Sequence, residues 1–216
     1  MFRDRVDAGR KLAAAMAGAE GSPPEIGPKM VPEIVLAIPR GGVVVGAEVA
    51  RAFGARMDIV IPHKLRAPGN PELAIGAVAP GVIVIDQRLV KRLRVTADYL
   101  EREIAAQQEE IGRRLTSYRQ GRPASDLSGR SVVVVDDGVA TGNTAVAALR
   151  YVRSQGATPV GFAVPVGPRG AASVLSEECD VCLIFETPVS FGAVGEWYEV
   201  FGQVGDDEVK EILGAS

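Results

Sequence analysis

Five short runs in this chain are apolar at nearly every position rather than at every second one: EIVLAI (33–38), MDIVIP (57–62), SVVVVDD (131–137) up to its acids, TPVGFAVPV (158–166) and DVCLIF (180–185). A strand with one wet face alternates apolar and polar residues, so an unbroken apolar run has to be covered on both faces. Helical segments lie between the runs. GVVVGAEVARAFG (42–54) carries its stop at Gly54, NTAVAALRYVRSQG (143–156) is closed by Gly156, and GAASVLSEE (170–178) is short. Strand–helix–strand alternation predicts an α/β chain with a central, mainly parallel sheet flanked by helices. With 216 residues, 47% of them hydrophobic, a single large domain with a sizeable core is expected.

Three stretches fall outside this rhythm. Residues 64–76, KLRAPGNPELAIG, hold two prolines and two glycines and read as a loop or a loose hairpin. AVAPGVIVID (77–86) places two apolar runs about a Pro-Gly turn. Residues 87–128 read as a helical insertion in which Leu100, Ile104, Ile111, Leu115 and Tyr118 share one helix face. One apolar stripe fits a surface helix packed on the core, or an arm that covers a site or joins two subunits. The segment 21–32 reads as a connector.

The formal charge of -3 gives no footprint for nucleic acid. No apolar run approaches the roughly 18 residues of a membrane span. The start, MFRDRVDAGRKLAAAMAG, reads as an amphipathic helix rather than a signal peptide, and with two cysteines the expected compartment is the cytoplasm. Those cysteines, Cys179 and Cys182, are spaced for a redox or half-zinc motif. Placed in an extended strand they would face opposite sides, so they are expected to be packing residues.

In a parallel sheet, sites gather in the loops at the carboxyl ends of strands. Three loops qualify: PRGG after the first run, HKLRAPGNPE after the second, and DDGVATGNT after the valines. In the last, a strand ends, small residues turn the chain, and a helix starts near Asn143. The unpaired N–H groups of a helix start, a glycine at 142 and the hydroxyls of Thr141 and Thr144 suit a phosphate monoester. The alternative is an ordinary helix start with Thr and Asn as caps. No Gly-Lys-Ser/Thr follows and G-x-G-x-x-G is absent, so neither common nucleotide loop applies. Asp136 and Asp137 end a buried strand, where charge is costly unless matched. Carboxylates repel phosphate but accept hydrogen bonds from sugar hydroxyls, so a ligand with a phosphate at one end and a diol in the middle satisfies both halves.

VVVVDDGVATGNT (132–144) resembles the donor-binding motif of type I phosphoribosyltransferases, an apolar strand, two acids and a small-residue turn that opens a helix. The resemblance covers about residues 31–186, with 187–216 as a small C-terminal extension. It implies the fold of that family, and phosphoribosyl diphosphate as substrate. Asp136 and Asp137 would hold the ribose, and Ala140, Thr141, Gly142, Asn143 and Thr144 the 5′-phosphate, with Gly138 and Val139 leading in. Gly138 departs from the pattern, since many members have an aliphatic residue there. IPRGGVVVGAEVA resembles the family's pyrophosphate loop, in which Arg40 would face the diphosphate and Gly41 and Gly42 would let the backbone approach. HKLRAPGNPELAIGA takes the place of its mobile catalytic loop. Lys64 would contact diphosphate there, and Glu72 is a candidate acid to reach the nucleophile or else a solvated residue. The chain is also similar to a group of bacterial predicted phosphoribosyltransferases through FRDRVDAGRKLA, KLRAPGNPELAIGAV, DDGVATGNTA and FGAVGEWYEVFGQVGDDEV. In that last stretch Phe191, Trp197, Tyr198 and Phe201 would stack on a base or pack together.

The resemblance implies transfer of phosphoribose to a nitrogenous base with release of diphosphate, with magnesium as cofactor near Asp136 and Asp137 through diphosphate, ribose and water. It also implies a homo-oligomer, a dimer being the simplest. Oxopurine enzymes of the family carry an aspartate where Ala140 stands, so an oxopurine acceptor is not expected. Two other readings stay open: a non-catalytic sensor of the donor or of a nucleotide, and a nucleotide hydrolase.

Overall fold

A computed structural model describes residues 1–18 and 30–215, Glu72 by its backbone alone. Most of the 21–32 connector therefore lies outside the described residues. The apolar runs form one five-stranded parallel sheet in the order β2-β1-β6-β7-β8. Its strands are β1 (Ile34–Ala37), β2 (Arg56–Ile59), β6 (Val132–Val135), β7 (Val160–Val166) and β8 (Val181–Glu186). β1, β6 and β7 are buried at every residue because both faces are covered. Val132 and Val134 join Leu149, Val152 and Phe162 beneath α5 (Asn143–Ser154). Val133 and Val135 point the other way, to Leu12 of α1 (Arg5–Met16) and Val45 and Val49 of α2 (Gly41–Phe53). Each fully buried side chain of this size contributes roughly 1.5–3 kcal/mol. α1 lies close against α2 at Gly9, where a Cβ would come within 2.8 Å of Glu48.

Residues 63–85 form a second sheet, antiparallel, of β3 (His63–Ala67), β4 (Asn70–Ala79) and β5 (Val82–Ile85). The stretch expected as a loop or loose hairpin is thus two paired strands about a Pro68-Gly69 turn, with Gly69 at φ 71 and a register shift near Arg66. Pro68 and Gly69 sit in the turn and Pro71 at the start of β4, where a strand tolerates them, while Gly76 lies within β4, where a Cβ would come 2.3 Å from the Val84 carbonyl oxygen. After the short helix α3 (Gln87–Arg92), α4 (Ala97–Arg119) closes the other face. All five stripe residues of α4 enter one cluster with Leu65, Ile75 and, from α7 (Asp206–Gly214), Val209 and Leu213. α4 also covers the exposed edge of β3, as Glu103 accepts from the Arg66 N–H at 3.0 Å and the Tyr99 hydroxyl donates to the Arg66 carbonyl at 3.0 Å. In this structure the segment that takes the place of the mobile loop is bonded at Arg66 to a helix. α6 (Arg169–Leu175) and a 3₁₀ turn (Val194–Trp197) complete the chain.

Cys179 precedes β8 instead of lying within it, so strand alternation does not separate the thiols. They lie close enough to hydrogen-bond, which holds Cys182 below its ordinary pKa and pushes Cys179 up. The Cys179 thiol also donates to the Leu175 carbonyl.

Candidate functional site

β1 and β6 are direct neighbours, with Ala37 level with Val135, so their carboxyl ends release two loops side by side. The first loop turns at once into α2, and the Pro39–Arg40 peptide is cis. α2 starts tight against the second loop. A Cβ on Gly41 would lie 1.8 Å from Asp137 Oδ2, and one on Gly42 would lie 2.8 Å from the Asp136 Cα. The two glycines are thus required by the packing of the acids, before any ligand arrives.

The acids differ in their surroundings. Asp136 turns back on the chain, its Oδ1 accepting the Asp137 N–H at 2.8 Å. Burial, then the neighbouring Asp137 carboxylate, push the Asp136 carboxyl well above its ordinary range. Asp137 has a cation: Arg5 Nε, on the first turn of α1, donates to Oδ2 at 2.7 Å with both side chains less than a fifth exposed. The Arg5 guanidinium also donates to the Gly202 carbonyl at 2.7 Å and lies 3.9 Å from the centre of the Phe201 ring. The Tyr198 hydroxyl donates to the Asp137 carbonyl at 2.5 Å, and burial and then the Asp137 charge push its pKa up. Sequence reasoning missed Arg5, and named Tyr198 only as an aromatic that would stack on a base or pack. Both lie in stretches noted for resemblance, FRDRVDAGRKLA and FGAVGEWYEVFGQ, but no local pattern links positions 5, 137 and 198.

Beyond the acids, Val139 is tied to Val166 and Gly142 takes φ 80 at the head of α5. No side chain caps α5, and the same is true of α2. The expected Thr and Asn caps are not made, so both helix starts present N–H groups and a positive dipole end toward the same rim. Ala140 and Thr141 are exposed, while Asn143 and Thr144 are half-buried. Gly138 has a local cause: a Cβ there would lie 2.5 Å from Val194, so the C-terminal extension fills the space an aliphatic residue would need.

Arg40 heads α2 and forms a long ion pair, 3.7 Å, with the exposed Asp206. Lys64 is exposed on β3, and among the described residues no ion pair joins it to Asp136 or Asp137. Glu72 lies in β4, and its side chain is outside the described residues. The aromatic stretch packs: Tyr198 lies 5.4 Å from Phe2 and 5.0 Å from Phe201, ring centre to ring centre, and Phe191 and Trp197 join the cluster around Phe2. Among the described residues no group of three or more His, Cys, Asp or Glu could hold a metal alone. No helix among them is long and apolar enough to cross a membrane.

Comparison with known proteins gives the same region a context. The family model described as "Phosphoribosyl transferase domain" matches residues 5–196. Mycobacterium tuberculosis proteins from strains H37Rv and CDC 1551, both named "putative phosphoribosyl transferase", are 40% identical over 214 residues, which is 99% of this chain and 46% of theirs. The chain thus spans about half the length of these relatives. The crystal structure of TT1426 from Thermus thermophilus is similar at 42% identity with a TM-score of 0.79, covering 99% of this chain and 97% of that one.

Proposed function

The chain belongs to the phosphoribosyl transferase domain family, and from that premise we propose that it transfers phosphoribose from phosphoribosyl diphosphate to a nitrogenous base, releasing diphosphate. One observation carries this reading: two uncapped helix starts and two unlike aspartates meet at the ends of adjacent parallel strands. The turn 140–144 at the head of α5 receives the 5′-phosphate through backbone N–H groups and the hydroxyls of Thr141 and Thr144. Asp136 and Asp137 accept from the ribose hydroxyls and favour positive charge developing on the ring as the bond to diphosphate breaks. Arg40, at the head of α2, exchanges its long contact with Asp206 for the diphosphate, and Lys64 is a second cation for it.

Two adjacent carboxylates without a third ligand fit magnesium, which is held by one or two carboxylates together with substrate phosphates. When bound, magnesium neutralises charge on the leaving diphosphate. Ala140 offers no carboxylate to deprotonate an acceptor, so the acceptor is expected not to be an oxopurine.

The test is to incubate the pure protein with donor and magnesium, with and without a panel of bases. Base-dependent diphosphate release supports the transferase. Binding with no turnover for any base overturns it in favour of a sensor, and release without a base points to a hydrolase. Sedimentation of the same sample tests the homodimer.

A further inference from the structure

The N-terminal segment meets residues 197–202 beside Asp137, and nothing in the proposed chemistry yet uses that meeting. Phe2 donates to the Trp197 carbonyl and accepts from the Glu199 N–H, and the Arg3 carbonyl accepts from Val200. These bonds lay 197–200 along the N-terminus as a parallel bridge. α1 is pressed on α2 at Gly9, and α2 on Asp137 at Gly41. Arg5 stands where the three segments join. Its side chain is 11% exposed and has three partners, namely Asp137 Oδ2, the Gly202 carbonyl and the Phe201 ring. A guanidinium ordered on three sides keeps its place, and so does the carboxylate it holds.

That contact decides which atoms of the acid pair can turn to a ligand. Arg5 takes Oδ2 of Asp137, and the Asp137 N–H takes Oδ1 of Asp136. Each carboxyl then has one oxygen fixed by the protein, and the two carboxyls also lie within hydrogen-bond reach of each other, a contact that two vicinal hydroxyls would take over. We propose that Arg5 is the positioning residue of the donor site: it holds Asp137 by one oxygen so that the other, with that of Asp136, meets the ribose diol. Arg5 acts through Asp137 and touches no substrate, and it stays in place when the donor binds. This role rests on the phosphoribosyl diphosphate reading.

The experiment is a double-mutant cycle on the full chain with Arg5→Ala, Arg5→Lys, Asp137→Asn and Arg5→Ala/Asp137→Asn. Affinity for magnesium phosphoribosyl diphosphate is measured by calorimetry, KM and kcat by diphosphate release, and Tm in parallel. Arg5→Ala is expected to weaken donor binding by about 10–100-fold, the usual loss when a supporting contact behind a ligating group is removed. KM should rise more than kcat falls. Arg5→Lys should recover part of the loss, and Arg5→Ala should cost nothing further once Asp137 is Asn. Unchanged donor affinity in a folded Arg5→Ala, or equal losses with and without the Asp137 carboxylate, overturns the role. A merely structural Arg5 would lower Tm and the active fraction but leave the KM of the surviving enzyme unchanged. A wild-type protein that binds no donor overturns the phosphoribosyl diphosphate reading itself, and the role of Arg5 with it.

Discussion

The rim of the parallel sheet and the β3–β5 sheet under α4 treat polar groups in opposite ways. In the second region nearly every exposed end is closed by a neighbour. Asp86 caps α3, Thr96 caps α4, and Glu103 and Tyr99 close the edge of β3. Gln107 pairs with His63 at 2.9 Å, and burial keeps that histidine below its ordinary pKa. Arg113 and then Arg114 hold Glu110 down at about 2. At the rim, α2 and α5 start without side-chain caps, and Asp136 is half-buried beside another carboxylate. The first region satisfies its own polar groups; the rim leaves helix-start donors and two adjoining carboxyls without such closure. The absence of a cap is not enough alone, since α6 also lacks one. What marks the rim is two such helix starts meeting two acids.

The largest effect should come from Gly41→Ala. Its methyl would overlap Asp137 Oδ2 and crowd Arg5 Nε, so donor binding should vanish in calorimetry and Tm should drop. A variant that binds normally would show that the rim is looser than its contacts imply. Next, Asp137→Asn keeps the shape but removes the charge, and turnover should fall by about 100-fold or more. A near-normal rate would remove Asp137 from the mechanism.

Asp136→Asn should separate stability from function. The carboxyl keeps its proton in the folded chain to a pH well above its ordinary 3.8. Folded protein therefore binds more protons than unfolded between those two values, and stability falls as pH rises through that window. Asparagine removes this loss. Tm at neutral pH should rise, by a few degrees if the gain is about 1 kcal/mol, while donor use falls. A lower Tm at neutral pH would mean that the buried charge is better matched than Arg5 and its neighbours suggest.

The smallest effect belongs to the self-satisfied region. Tyr99→Phe removes one hydrogen bond to the β3 edge and should cost about 0.5–1.5 kcal/mol in urea unfolding. Donor affinity should stay the same. A large change in affinity would mean that the pinned hairpin moves during binding, which would return Lys64 and Glu72 to a mobile catalytic segment.

These experiments follow the line between what was legible and what was not. Buried parallel strands leave their mark in every residue, so Val132–Val135 and Val160–Val166 could be read directly. The acid pair and the turn after it are contiguous, so their chemistry could be read as one motif. The β3–β4 hairpin was obscured because Pro68, Gly69 and Pro71 look alike in a loop and in a tight turn, and only pairing with Ala74–Val78 and cover from α4 distinguish them. The cysteines were misjudged because Cys179 precedes the strand, so the alternation of strand side chains does not govern it.

By itself the sequence determined the layered α/β architecture, the strand ends at which a site could form, and the order of acid pair and small-residue turn. Each depends on hydrophobic period or on neighbours in the chain. Tertiary structure alone decided that Gly41 and Gly42 make room for carboxylates, that Val194 takes the space beside Gly138, and that Arg5 and Tyr198 hold Asp137. Those contacts join residues 56 to 132 positions apart. Their energy comes from burial and charge at points that meet only after the sheet has formed, so no local pattern records them.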